Sequence, residues 1–221
     1  FTGRSGTFFA YEGLGSIYWH MVSKLLLAAQ EAFVQAAERE EAQATVRALA
    51  DAYYDIRRGI GFNKPPDVYG AFPTDPYSHT PAAQGAKQPG MTGQVKEELL
   101  TRMGELGVFV EQGVLAFEPI LLKGQEFVEA ATRFEFIDVR GQKQSIDLPA
   151  GSLAYTFCQV PIVYIAADKP KVTVHYANGR SDERTGHDLD VETSLHILRR
   201  DGHIERLTVT IPHVLGEDFA P

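Results

Sequence analysis

The residues with the most chemical potential in this chain are gathered between Asn63 and Gly93. Asp67 and Asp75 stand eight positions apart, and His79 lies between Ser78 and Thr80. Tyr69, Phe72 and Tyr77 are interleaved with them, and Thr92-Gly93 follows at the mouth of a helix. Two carboxyl groups on one loop can act as acid and base, or as one acid beside an external nucleophile. Inverting glycosidases need such a pair roughly 6.5 to 9.5 Å apart, a separation that sequence spacing does not fix. Asp75 directly precedes Pro76, where a turn role competes with catalysis. Tyr69, Phe72 and Tyr77 offer flat faces for the apolar C–H patches of sugar rings, or else they pack the loop in place. His79 is a candidate for contacting substrate or phosphate. A Thr-Gly pair opening a helix presents a hydroxyl and free N–H groups at the positive end of the helix dipole. That is a seat for an anion, although Thr92 equally serves as its own helix cap.

A loop of this length is uncommon in a compact domain unless it has a function. Its prolines Pro65, Pro66, Pro73, Pro76 and Pro81 stiffen it, since each fixes φ and pushes its predecessor toward extended geometry. We therefore expect a rigid loop over 59–91 that faces a small polyhydroxylated or anionic ligand.

The elements on either side change character midway along the chain. From Ile17 to about Ala37, apolar residues recur at three- and four-residue steps, which predicts a helix with a broad buried face. A second helix is expected over about 40–58 and a third over about 93–106. The junction Glu38-Arg39-Glu40-Glu41 reads either as a tight corner or as a continuation of the first helix. After Gly107 the period becomes alternating, with Glu111-Gln112-Gly113 as a hairpin turn. Strands are expected over 133–139, 144–148, 152–157, 161–165, 171–176, 193–199 and 204–211, and Asp182-Glu183-Arg184 reads as a solvated turn. The fold class expected is α+β, with helices over 1–107 and an antiparallel β-sandwich or similar sheet domain over 108–221; the resemblance given below implies that the helices are those of an incomplete toroid.

Composition excludes some classes of partner. With 29 acidic against 21 basic residues the net charge is −8, so no broad basic footprint for nucleic acid exists. The longest apolar run, Leu25 to Ala29, is far short of the roughly 20 residues of a spanning helix, and no membrane partner is expected. Cys158 is the single cysteine, so an internal disulfide is impossible, and a cytoplasmic setting is favoured. His175, His187, His196 and His203 show no spacing diagnostic of a metal centre, and none is expected. The chain opens at Phe1 within sequence that already looks structured, which suggests a piece of a longer protein.

Two segments carry a resemblance. Gly13-Leu14-Gly15-Ser16-Ile17-Tyr18-Trp19-His20, opening an apolar helix, resembles a segment of cellobiose- and chitobiose-phosphorylase-type enzymes, with Ser16 where that family has a second glycine. Met91-Thr92-Gly93 and then Gly104-Glu105-Leu106-Gly107-Val108 resemble the last toroid helix of the same enzymes. The hairpin Gly113-Val114-Leu115-Ala116-Phe117-Glu118-Pro119 resembles their link into a β-sandwich, and together these segments span about the first 120 residues.

The resemblance implies an inverting glycoside phosphorylase or hydrolase, with His20 and Thr92-Gly93 lining a phosphate site. It also implies inorganic phosphate as co-substrate, no other cofactor, and a disaccharide or oligosaccharide substrate. The general acid would come from an upstream part of the parent chain. Apolar helix faces around Leu25, Leu26, Leu27 and Phe33 would then lack partners and favour self-association. The alternative expectation, from a different class, is a noncatalytic carbohydrate-binding or assembly module.

Overall fold

The computed structural model describes residues 19–60, 92–214 and 217–218; the side chains of 19–21, 59–60, 92–96 and 213–218 are outside the description. The chain divides into two compact units, Phe1–Arg102 and Met103–Pro221.

In the first unit, helix α1 (Trp19–Glu38) buries Ser23, Leu26, Gln30, Phe33 and Ala36, a stripe at three- and four-residue steps. Helix α2 (Gln43–Ile60) packs against it with Ala50, Tyr53 and Tyr54 buried. The acidic junction is a tight corner and not a continuation. Glu40 takes a left-handed φ of 52°, its N–H donates to the Ala37 carbonyl at 3.0 Å, and the Glu41 N–H donates to the Ala36 carbonyl at 3.0 Å. Those paired bonds are a Schellman ending, normally built on glycine. Of the apolar residues named above, Leu26 and Phe33 are buried, whereas Leu25 is 55% exposed.

Helix α3 (Thr92–Glu105) adds buried Glu97 and Thr101. Gln30 Nε2 donates to the Thr101 carbonyl at 2.7 Å, tying α1 to α3 by a buried polar bond.

The second unit opens with the expected hairpin. Strands β1 (Val108–Glu111) and β2 (Val114–Phe117) pair antiparallel around Gln112-Gly113, both at positive φ, the turn geometry that suits the twist of two strands. A 3₁₀ turn (Gly124–Glu126) leads to a second antiparallel hairpin, β3 (Thr132–Ile137) and β4 (Lys143–Leu148).

The main sheet contains β5 (Ser152–Phe157), β6 (Val160–Ala166), β7 (Lys171–Tyr176), β8 (Ser181–Thr185) and β9 (Ile204–Ile211), in the order β5-β6-β9-β7-β8. Helix α4 (Val191–Arg199) lies in the connection from β8 to β9, and the short strands β10 (His213–Val214) and β11 (Glu217–Asp218) close the described chain.

The α+β class is as expected, and the strands pair antiparallel apart from one pair. β9 runs parallel to β6, slotted between β6 and β7. A parallel neighbour requires a long crossover, and the β7-β8-α4 stretch supplies it.

Two local expectations are corrected. Residues 193–199 form most of α4 and not a strand, because Asp190 caps the start: its carboxylate accepts the Thr193 N–H at 2.6 Å. The alternation of Leu195 and Ile197 imitated a strand, but the buried set Thr193, Ser194 and Ile197 follows helical steps. Asp182-Glu183-Arg184 is not a turn but the middle of edge strand β8, whose polar composition suits an edge.

The register places Leu153, Ile162, Tyr164, Val172, Val174, Leu207 and Val209 on one sheet face, all buried with Leu115, Phe117 and Ile197 in one core. The Tyr164 hydroxyl donates to the Leu106 carbonyl and accepts from the Tyr155 hydroxyl at 2.8 Å. β2 is laced to the start of α4: the Leu115 N–H donates to Ser194 Oγ at 3.0 Å, and the Leu189 N–H to the Leu115 carbonyl at 2.9 Å.

Candidate functional site

The opposite face of the main sheet is polar where β7, β8 and β9 meet, with His175 in register with Ser181 on one side and Arg206 on the other. Between this face and the β3–β4 hairpin lies a cleft of about 390 Å³, within the size range of small-molecule sites. Its lining includes Asp138, Arg140, His175, Tyr176, Arg180 and Arg206.

Each group is positioned by its local fold. Asp138 sits at the end of β3 and organises the hairpin turn: its carboxylate accepts the Arg140 N–H at 2.9 Å, the Gln142 N–H at 2.8 Å and Gln144 Nε2 at 3.1 Å. The Gln142 bond foremost, helped by Gln144 and Arg140 against the effect of burial, holds this carboxyl below the usual carboxylate range. Gln159, from the β5–β6 turn, donates to the Asp138 carbonyl at 3.0 Å and fixes the hairpin to the sheet.

His175 has both ring nitrogens engaged, Nδ1 with Ser181 Oγ and Nε2 with Thr208 Oγ1, each at 3.1 Å. Burial holds its imidazole below the usual value; Arg206 acts in the same direction and Glu205 opposes it. The ring is therefore neutral at pH 7 and serves as a hydrogen-bonding wall.

Arg180 lies with its guanidinium carbon 4.6 Å from the centre of the Tyr176 ring, a cation–π contact that presents a flat, charged surface. Arg206 is the group left unsatisfied: its Nε is buried and has no hydrogen-bond partner among the described residues. An orphan buried N–H costs about 1–3 kcal/mol. Three guanidinium groups, two carboxylates (Asp138 and Glu205) and an aromatic face suit a small ligand rich in hydroxyl or anionic oxygen.

Asp67, Tyr69, Phe72, Asp75, Tyr77 and His79 lie outside the described residues. His20 stands in the first turn of α1, and Thr92 and Gly93 are the first residues of α3, with their side chains outside the description. The cleft has no single motif that announces it. Its residues come from the β3–β4 hairpin and its turn, the β5–β6 and β7–β8 turns, and strands β6 to β9, and only their tertiary arrangement brings them together.

Among the described residues, one group of side chains can hold a metal: His196, Asp201 and His203. No helix among the described residues is long and apolar enough to cross a membrane. No protein-family profile and no curated protein sequence matches this chain.

Proposed function

We propose that this chain is the C-terminal part of a carbohydrate-active enzyme that cleaves glycosidic bonds with inversion, by phosphorolysis or hydrolysis. Its helices would complete an α/α toroid, and its second unit would be the following β-sandwich.

The observation that carries this reading is the joint after α3. Gly107 adopts a φ of +65°, and a Cβ there would meet the Glu118 carbonyl carbon at 2.1 Å. Leu106-Gly107-Val108 and Phe117-Glu118-Pro119 thus form one interlocked corner, and these are the residues that carry the phosphorylase resemblance. An apolar helix hairpin precedes the corner, as a toroid requires, and Leu25 remains exposed on it for a further helix to cover.

In this reading His20 and Thr92-Gly93 contribute to an anion site for phosphate. The loop with Tyr69, Phe72, Tyr77 and His79 walls the sugar site. The general acid is an upstream carboxyl, or Asp67 or Asp75. It protonates the leaving oxygen as the glycosidic C–O bond breaks, while phosphate bonds to the anomeric carbon from the opposite face, or water does so as a second carboxylate takes its proton. The cleft of the second unit adds guanidinium and amide contacts to sugar hydroxyls.

The test is incubation of the intact polypeptide with a panel of disaccharides, with and without inorganic phosphate. Phosphate-dependent release of a sugar 1-phosphate marks a phosphorylase, and phosphate-independent release of reducing sugar marks a hydrolase. The orphan donor in the cleft supports a second reading, a noncatalytic glycan-binding module, for which saturable glycan binding without turnover is the expected result.

A further inference from the structure

Helix α4 ends abruptly, and the way it ends assembles a ligand set. Arg200 takes a left-handed conformation (φ 53°, ψ 41°), and its N–H returns to the His196 and Ile197 carbonyls. The chain then doubles back through Asp201 and Gly202, the latter at a φ of +79°. This brings His203 over the last helical turn, where its ring lies 4.4 Å from that of His196 at an interplanar angle of 31°.

Asp201 stands between them. One carboxylate oxygen is 2.6 Å from His196 Nδ1, and the other is 2.9 Å from His203 Nδ1. The Asp201 carboxylate is itself oriented by the His203 backbone N–H, which donates to Oδ1 at 3.0 Å.

We propose that His196, Asp201 and His203 form a binding site for a divalent transition-metal ion of the zinc type. A ligand atom from each of the three lies within 4.8 Å of the others. Ligands 2.0 to 2.2 Å from a tetrahedral zinc ion are separated by roughly 3.3 to 3.5 Å from one another. The nitrogen–oxygen separations here, 2.6 and 2.9 Å, are shorter by about 0.4 to 0.9 Å, so hydrogen bonds hold the cluster together and the side chains must part slightly to admit a cation. Two imidazoles and one carboxylate match the preferences of zinc, which takes nitrogen and oxygen donors together.

Three protein ligands leave a coordination position for water or an exogenous ligand. His203 is exposed, so the cluster opens to solvent and a cation reaches it without unfolding. This site is independent of the glycosidic reading.

Isothermal titration of the full chain with zinc chloride, in a non-chelating buffer, tests it. One equivalent should bind saturably, and the thermal midpoint should rise with added zinc. His203→Gln and Asp201→Asn should each weaken binding at least about tenfold while circular dichroism shows them folded. His203→Gln removes an exposed ring with its Asp201 and His196 contacts, so unfolding of this variant without zinc is measured beside its binding to separate a metal role from a structural one. Absence of saturable binding would overturn the proposal, as would binding unaltered by both substitutions.

Discussion

The Glu118 N–H donates to the Gly107 carbonyl at 2.7 Å, and the same approach leaves no room for a side chain on Gly107. The bond ties the residue before β1 to the residue after β2, and it does so at a residue whose positive φ already excludes most side chains. Gly107→Ala should therefore destabilise the fold by at least about 3 kcal/mol, combining the left-handed penalty of roughly 1–2 kcal/mol with displacement of backbone. Urea unfolding measures this, and a loss under about 1 kcal/mol would mean that the corner yields.

At the end of α1 the opposite change should help. Glu40 occupies the left-handed position of the Schellman ending, where glycine carries no Cβ penalty. Glu40→Gly should raise stability by about 0.5–1 kcal/mol, glycine's extra chain entropy offsetting part of the gain. A small rise in thermal midpoint is the expected result, and a fall would contradict the cap assignment.

Asp190 joins the start of α4 to edge strand β8 through its pair with Arg184. Burial pushes its carboxyl up, but the Thr193 backbone N–H and hydroxyl and the Arg184 guanidinium outweigh that and hold it below the usual range. A depressed carboxyl stabilises the fold fully above its unfolded value near about 3.9, and that contribution is lost as pH falls through the lower folded value. Asp190→Ala should cost about 1 kcal/mol at pH 7. Asp190→Asn, which keeps the cap oxygen, should cost less. Equilibrium unfolding of both variants at pH 7 and pH 3 checks the order, and the gap to the parent should narrow at the lower pH.

His175 gives the opposite proton sign. Its folded value is lowered, so between that value and about 6.5 the unfolded chain binds more protons, and stability falls as pH drops through this window. An NMR titration should find the His175 ring titrating below about 6.5. His175→Gln should flatten the stability profile in this window, and an unchanged profile would contradict the role assigned to the half-buried ring.

Much of the scaffold was legible from period and punctuation. The strands over 152–157, 171–176 and 204–211 match β5, β7 and β9, because each alternates apolar and polar residues and is bounded by turn residues. The hairpin at Gln112-Gly113 was readable for the same reason. Helix α4 was not, since the two-residue spacing of Leu195 and Ile197 matches the strand period, and the signal for the helix is the Asp190 cap. With that stretch read as a strand, His196, Asp201 and His203 were strung along the chain; the helical ending and the left-handed Arg200 bring them together. β8 was hidden by its charges, which belong to a strand whose outer edge faces water. The cleft was invisible for a different reason: β9 lies between β6 and β7, a non-local pairing that the local pattern does not encode.

The account rests most heavily on glycosidic chemistry, and the disaccharide panel with and without phosphate tests it most directly. Release of a sugar 1-phosphate, or of reducing sugar, with inverted configuration at the anomeric carbon is the predicted result. Absence of turnover by the intact polypeptide on every disaccharide of the panel, with and without phosphate, would contradict it.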